Sequence, residues 1–598
     1  MQAGRSFDLF FRGDHKEIVR RYHDTPKGGG PGDMAFIVGS LAFIGRLEEA
    51  EVVFDNEEPN LDPEARCFSL FFLAITHNRN GQQAGFFHRL NQIRRIHGSF
   101  SGGAFYWMQA IAFFHFNGSR FKVAERLAKR AYLEATVQQN FYGRALALDL
   151  HGHALVAIGD VEAGIASMRR AKQFFEQLGN GSYVRVMDKA ISNYQVLYTP
   201  HLLSSDEKLG FPANVVALTQ NNYTDVFQLL TAVRALCLSG RLDEAHVYLE
   251  KAQTIVESEA HKRCEPVVSF RKAMLEWSSG KTEYAKQILS ELELNLDKFD
   301  YKFQAQILGF LHKISSSCGQ DTDQSRLLRL KKITAISQYG LAKRILRRQG
   351  HCLSDITLGK DPLGDIIDQI HSQSTPLEEK FALIIKHSLF GMLYEVLELD
   401  RSEIVIYVNP LPNSLFIFDR GNVTFVEQHV SQNLVSKCLQ IFSETTCVSK
   451  AELVDILWGY SYHPTRHDPL VYNLMTRVRT VLGDNSGTWI EAKGGGYQVS
   501  PMIRILCHSW SPQISVSDEP LTKSHHDLSE LNQRQVKIIQ YLNRFESLTA
   551  KDCSDLFEGV SRVTVSRDLK GLSTERYLLR HGRGKATYYT LNQERLSQ

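Results

Sequence analysis

Apolar positions follow two spacings along the chain, and the change of spacing divides it. Up to about residue 400 they fall at helical intervals, in segments such as Ser325-Arg-Leu-Leu-Arg-Leu-Lys-Lys and Leu377-Glu-Glu-Lys-Phe-Ala-Leu-Ile-Ile-Lys. From Glu403 the pattern turns to short alternating runs, Ile404-Val-Ile-Tyr-Val408 and Leu415-Phe-Ile-Phe418, separated by Pro410, Pro412 and Asn413; this predicts antiparallel strands opening a new domain. Helical periodicity returns over Ser431 to Glu444. Ser449-Lys-Ala-Glu452 has the form of a capping box that starts a second helix ending at Trp458-Gly459. A third helix is predicted from Asp468 to Leu482, with Val471, Met475, Val478 and Leu482 on a buried face and Asn473, Thr476, Arg477 and Thr480 opposite. Trp489-Ile-Glu-Ala-Lys-Gly-Gly-Gly-Tyr-Gln-Val499 then reads as two strands around a tight glycine turn, with Lys493 at its edge.

The final stretch repeats this order. Leu531 opens a helix through Asn543, Thr549-Ala-Lys-Asp552 opens another, and Ser561 opens a third that buries Val565, Leu569 and Leu572. Tyr577 to Leu591 forms two strands around Gly582 and Gly584. A helix-turn-helix followed by a hairpin is a winged helix, so the pattern predicts two of them.

The long helical part is repetitive. Gly45-Arg-Leu-Glu-Glu-Ala50 recurs as Gly240-Arg-Leu-Asp-Glu-Ala245 and as Gly280-Lys-Thr-Glu-Tyr-Ala285, with degenerate versions at Gly81, Gly118 and Gly159. The glycine steps are 36, 37, 41, 81 and 40 residues, the 81 spanning two repeats. Glycine permits the left-handed turn that ends one helix, and alanine lets the next helix pack closely. This region resembles the longer tetratricopeptide-like repeats of bacterial regulators such as the MalT sensor region. The expected organisation is an N-terminal segment (1–34), the repeat array (35–315) and a helical cap and linker (316–402).

Residues 403–500 resemble the DNA-binding domain of OmpR/PhoB-type regulators, through the leading strands, Leu457-Trp-Gly459, Arg477-Val-Arg-Thr-Val-Leu482 and Gly494-Gly-Gly-Tyr497. The resemblance implies that Asn473, Thr476 and Arg477 face the major groove, that Arg466 lies near the start of the recognition helix, and that Lys493 reaches backbone phosphate; Thr480, on the same face, is a further DNA-binding candidate. Arg479 is assigned a structural salt bridge. Pro469 and Thr476 stand where that family often has basic residues, and residues 410–500 carry seven basic against eight acidic side chains. No phosphorylatable receiver domain precedes this segment, so the repeat array takes the sensor position.

After a linker (501–527), residues 528–598 resemble the winged helix of DeoR-type regulators, through Val560-Ser-Arg-Val-Thr-Val-Ser-Arg-Asp-Leu569. Ser561, Arg562, Thr564, Arg567 and Lys570 sit at the exposed start and outer side of the third helix, and Arg580, Arg583 and Lys585 on or beside the hairpin turn. From Ser561 to Lys585 seven basic residues face two acids, Asp568 and Glu575, an excess of +5. Such charge on the two elements a winged helix presents is a phosphate clamp.

Composition changes little. A net charge of +3 shows no polyanion partner by itself, so the local excess carries the nucleic-acid argument. Nine scattered cysteines form no Cys-x-x-Cys pair and read as buried thiols in a reducing cytoplasm. No stretch resembles a signal peptide or the roughly 20 apolar residues of a membrane span, which implies a cytoplasmic protein without a membrane partner. Gly280-Lys-Thr282 lacks the leading glycine of a phosphate-binding loop, Leu275 standing in its place, and reads as a repeat turn. Gly28-Gly-Gly-Pro-Gly32 reads as a flexible loop, and His463, His467, His525 and His526 as surface or capping histidines. No catalytic residue, cofactor or metal ligand is expected.

The fold class expected is mainly α, an α-solenoid of helical hairpins followed by two α+β winged helix-turn-helix domains. The expected function is a sequence-specific DNA-binding transcription regulator, not an enzyme, whose array senses a protein, peptide or small-molecule effector. Double-stranded DNA is the principal partner, with RNA polymerase and a second copy of the chain as further candidates. The alternative is a scaffold whose repeats and winged helices assemble a protein complex.

Overall fold

The computed structural model describes residues 5–24, 31–198, 222–258, 264–317, 323–348, 359–408, 414–427, 433–484, 486–508, 533–542, 548–549, 552–553, 556–557, 562–575, 577–582 and 587–592. They are mainly helical, with a few small sheets. The chain divides into two compact units, Met1–Ile404 with Phe418–Thr424, and Val405–Ile417 with Phe425–Gln598. Among the described residues no helix is long and apolar enough to cross a membrane.

Hairpins of helices build the first unit: Pro31–Phe43 with Leu47–Glu57, Pro63–Arg79 with Gln83–Ile96, Gly103–Asn117 with Phe121–Val137, Phe141–Ile158 with Val161–Gln177, Asn222–Ser239 with Leu242–Ser258, and Glu265–Ser278 with Thr282–Leu294. The glycine turns close them by one hydrogen-bond scheme. At Gly45 (φ 88°) the amide of Gly45 donates to Ala42 O at 3.2 Å and that of Arg46 to Leu41 O at 2.9 Å, the paired bonds that satisfy the orphan carbonyls of a helix end. Gly81, Gly159, Gly240 and Gly280 also have positive φ, and Gly280 follows the end of the helix Glu265–Ser278. The turn near Gly118 departs from expectation, since the left-handed residue there is Ser119 (φ 55°). Five residues beyond each left-handed position the next helix buries a side chain completely: Ala50, Phe86, Ala124, Ala245 and Ala285 are all 0 % exposed. At the Gly159 turn this position is Gly164, where a Cβ would meet Gly152 O at 2.7 Å, so the two helices touch through backbone.

The N-terminal segment is not separate from this core. Phe7, Phe10 and Phe11 have helical spacing within the helix Arg5–Arg12, and Phe10, fully buried, packs its ring against Phe36, Phe68 and Phe72 at 5.1–5.4 Å. Of Gly28 to Gly32, expected as a loop, residues 28–30 lie outside the described residues, while Pro31 and Gly32 open a helix, where a missing amide is no loss. His15 is buried beneath Phe10, its Nδ1 3.2 Å from Ser40 Oγ and its Nε2 without a partner among the described residues; burial pushes its pKa down to about 4. A depressed histidine leaves stability intact above the ordinary value of 6.5 and removes it as pH falls from there towards 4. Acidification from neutrality to pH near 4 is therefore expected to cost the first unit about 3 kcal/mol through this residue, and His15→Asn should remove that part of the pH dependence in urea-denaturation curves.

Distant parts of the first unit also meet. Ser119 Oγ donates to Asp300 Oδ1 at 3.2 Å, the Val161 amide donates to Lys360 O at 3.0 Å, and a Cβ on Gly340 would lie 2.7 Å from the Cα of Gly159. Phe121 and Ala157 belong to the same apolar cluster as Trp277, Leu308, Tyr339 and Leu346. Near residue 361, Arg344, its side chain 3 % exposed, spreads over Asp361, Asp365 and Asp368 at 3.2, 2.9 and 2.6 Å. Asp361 in turn caps the helix Pro362–His371 by accepting the Gly364 amide.

Three sheets follow. Asn422–Glu427, Ser414–Asp419, Ile404–Val408 and Ile503–Cys507 lie in that order in a four-stranded sheet; the first and last of these strands were not foreseen from the pattern. Cys447–Ser449, Gly496–Val499 and Ile490–Lys493 make the second, antiparallel throughout. Leu548–Thr549, Tyr588–Leu591 and Leu578–His581 make the third. Of the cysteines, Cys67, Cys237, Cys264, Cys438 and Cys553 are buried, but Cys447 is exposed on an edge strand and Cys507 is half-buried; Cys318 and Cys352 lie outside the described residues.

Candidate nucleic-acid interface

The first candidate surface is built on three helices, Asn433–Glu444, Lys450–Trp458 and Pro464–Leu482. The predicted capping box is present: Ser449 Oγ accepts the Glu452 amide at 3.2 Å while the Glu452 carboxylate accepts the Ser449 amide at 2.8 Å. These bonds hold the Glu452 carboxyl below its ordinary pKa. Gly459 (φ 70°) ends that helix.

The third helix starts at Pro464, four residues earlier than predicted. Proline suits the first turn, and Pro469, which the periodicity treated as part of the start, is carried inside the helix. His467 Nδ1 accepts the His463 amide at 2.9 Å and its ring stacks on Tyr460, so His467 caps the helix, while His525 and His526 lie outside the described residues. Asp468 accepts a hydrogen bond from Tyr462 Oη and pairs with Lys450 Nζ at 3.1 Å, which ties the second helix to the third and keeps the Asp468 carboxyl below its ordinary pKa. Nothing in the periodicity marked this clasp; its members are eighteen residues apart in the chain.

Val471, Met475, Val478 and Leu482 are buried as predicted, joined by Leu474. Arg466, Asn473, Thr476, Arg477 and Thr480 are all exposed. The last four share a helical face by their spacing. The structure refines their chemistry. Thr476 Oγ1 donates to Tyr472 O and Thr480 Oγ1 to Thr476 O, each at 2.9 Å. Both hydroxyl protons are thus used within the helix, so these threonines can offer a partner only lone pairs and methyl groups. Donors come from Asn473, Arg477 and Arg466. Tyr472, 66 % exposed, and Leu470, 43 % exposed, were not foreseen on this helix and bring apolar surface to it.

Arg479 has the structural role expected, with a different partner. Its Nε and Nη2 donate to the Ile490 carbonyl at 3.2 and 2.6 Å, not to a carboxylate. This fixes the strand Ile490–Lys493 to the helix end. Asp484 supports the same junction by accepting the amides of Thr488 and Trp489. Lys493 pairs with Gly496 across a two-residue turn, Gly494 and Gly495, whose φ values of 60° and 82° favour glycine, and Lys493 projects exposed at the tip.

The second candidate surface uses the helices Gln533–Leu542 and Arg562–Thr574 and the hairpin Leu578–His581 with Tyr588–Leu591. Val565, Leu569 and Leu572 are buried with Ile538, Ile539 and Leu578 in one cluster. Thr549 and Asp552 bond reciprocally: the Asp552 amide donates to Thr549 Oγ1 at 3.2 Å and the Thr549 amide to Asp552 Oδ2 at 2.9 Å. Residues 534–590 match the DeoR-like helix-turn-helix domain. A domain of this type supports DNA binding and transcription regulation. No curated protein and no solved structure matches the chain.

In the DeoR-like domain Arg567 and Lys570 are exposed on the outer side of the helix Arg562–Thr574, and Thr564 is half-buried. Arg562 is the first residue of that helix. Arg580 is exposed on the strand Leu578–His581, opposite Tyr589. Ser561, Arg583 and Lys585 lie outside the described residues. Asp568, one of the two acids within the basic stretch, is only 5 % exposed and pairs inward with Arg534 at 2.8 Å. Its charge therefore does little to offset Arg567 and Lys570 outside. Among the described residues no group of three histidine, cysteine, aspartate or glutamate side chains is arranged to hold a metal.

Proposed function

We propose that the chain is a sequence-specific DNA-binding transcription regulator with two winged helices, one of OmpR/PhoB type over residues 403–500 and one of DeoR type over residues 528–598, preceded by a tetratricopeptide-like array that senses an effector and catalyses no reaction. The observation that carries this reading is the DeoR-like match over residues 534–590 together with the outward cations Arg567, Lys570 and Arg580 on its helix and hairpin. The helical hairpins with repeated glycine turns support the array, and the order of helices, capping box and glycine-turned hairpin in residues 433–499 supports the first winged helix. Binding of the full chain to duplex DNA across a salt series tests it. Affinity that falls steeply with salt supports the regulator. Affinity that is absent at low salt sinks it.

A scaffold role draws on one observation, the exposed Leu470 and Tyr472 beside Asn473 on the first recognition helix, which would also suit a protein contact. The two readings part at Arg477. If this helix reads bases, Arg477→Ala is expected to weaken specific binding by about 1–3 kcal/mol and relax preference at one position, with little change in melting temperature because the side chain is exposed. Unchanged sequence preference in a selection from random duplexes would count against the assigned register.

A further inference from the structure

The first unit contains a hollow of about 60 Å³ lined by Arg234, Met274, Trp277, Lys313, Glu395 and Arg401 among others. At about 10–15 Å³ per water, that is room for several waters or one small anion. Its charge is unbalanced. Glu395 is already shared by Lys313 Nζ at 2.8 Å, Arg401 Nη2 at 3.4 Å and His371 Nε2 at 3.7 Å. The guanidinium of Arg401 lies 4.2 Å from the centre of the Trp277 ring, and Lys313 Nζ 4.9 Å from it.

Among the described residues two arginines here, Arg234 and Arg271, have no carboxylate partner of their own. Arg234 makes no hydrogen bond or ion pair among the described residues, and the acid within electrostatic reach of it, Asp361, is bonded to Arg344 at 3.2 Å. Among the described residues Arg271 reaches only the Met274 sulfur through Nη1, at 2.9 Å, and its buried Nε meets no acceptor. Burial, and then the neighbouring Arg234, push the Arg271 pKa down to about 10. The phenol groups of Tyr198 and Tyr339 lie within electrostatic reach of Arg271, and that of Tyr198 also of Arg234; Tyr339 Oη accepts a hydrogen bond from Gln306 at 3.1 Å. Unpaired buried guanidinium groups are costly unless an anion is supplied.

We propose that this hollow binds a small dianion, a phosphoryl group or a pair of close carboxylates, gripped by Arg234 and Arg401, which line it, and bordered by Trp277 and Lys313, with Arg271 adding positive charge near Arg234. The assignment rests on the reading of the helical array as the sensing part, and it gives that part a ligand class. A single phosphoryl group suits two guanidinium forks, which donate in pairs to its oxygens.

The test uses the full chain without DNA. Inorganic phosphate and, in a separate arm, succinate are added at about 10 mM against sodium chloride of equal ionic strength, and melting is followed; either ligand is expected to raise the melting temperature by about 2 °C or more. Arg234→Gln should melt no lower than the parent without ligand, since a repulsion is relieved, and should lose the ligand-dependent rise. A rise with phosphate alone assigns the phosphoryl group, and a rise with succinate alone assigns the dicarboxylate. No rise with either, or an equal rise in Arg234→Gln, overturns the site. Because DNA is absent, these outcomes do not depend on the DNA-binding reading. A ligand-induced rise that leaves DNA affinity unchanged would keep the site and end its regulatory role.

Discussion

Replacing Arg580, Arg583 and Lys585 together by alanine is expected to flatten the dependence of log affinity on log salt by about 2–3, since every phosphate left without its cationic side chain retains nearly one counterion that binding would otherwise release. The DeoR-like domain carries an excess of +5 between Ser561 and Lys585, whereas residues 410–500 are near neutral with seven basic and eight acidic side chains. Nonspecific affinity should therefore come mainly from the C-terminal domain. The inward pairing of Asp568 with Arg534 strengthens this expectation, because the acid nearest Arg567 in sequence does not face outward with it. Asn473→Ala in the other surface should act oppositely, altering sequence preference and leaving the slope nearly intact, since hydrogen bonds to base edges displace few counterions. Fluorescence anisotropy across a salt series measures both. If the triple variant keeps the parental slope, the C-terminal hairpin does not touch DNA and the scaffold reading gains.

The largest stability effect is expected at Arg344. Its guanidinium is the shared partner of Asp361, Asp365 and Asp368, and Asp361 is itself only 8 % exposed. Arg344→Ala leaves a buried carboxylate without its cation, which should destabilise the first unit by about 3–5 kcal/mol. The pH dependence supplies a control. Burial already holds the Asp361 carboxyl above its ordinary pKa, although Arg344 pulls the other way; burial likewise opposes the charge of Arg344, yet the three aspartates together keep its pKa raised. An acid whose folded pKa is raised loses stability as pH rises through the window between its ordinary and raised values. Without Arg344 that window extends further upward, so the loss should be greatest at neutral pH and shrink on acidification. Urea denaturation at two pH values reads this out, and a loss of equal size at both would point to packing and not to charge.

Features legible in the sequence were those fixed by a few neighbouring residues. The Ser449–Glu452 capping box, the Gly494-Gly495 turn, the Val471 to Leu482 stripe and five of the six repeat turns needed no information beyond about one helical turn on either side. Even here a local ambiguity misled, because Gly118 occupies the place of the repeat glycine while Ser119 takes the left-handed conformation. What depended on distant partners was not legible. Ile503–Cys507 becomes a strand by pairing in a sheet with residues about a hundred positions earlier. Arg479 looked fit for a carboxylate and took a carbonyl, because the hairpin returns beside it. The cations that line the hollow, Arg234, Lys313 and Arg401, come from distant parts of the chain, and Arg234 and Lys313 sit on helices that each read locally as ordinary amphipathic ones.

The meeting of Gly159 with Gly340 bears on how the first unit acquires its structure. A row of hairpins that touched only their chain neighbours would have low contact order, could nucleate anywhere and would fray from its ends. Approaches between residues some 180 positions apart, Gly159 with Gly340 and Ser119 with Asp300, close a long loop instead. That closure carries an entropic cost before any of its interactions form. Folding of this unit should therefore be slow for a helical protein. Amides at its two extremes should also resist hydrogen exchange more nearly alike than they do in an open row of repeats.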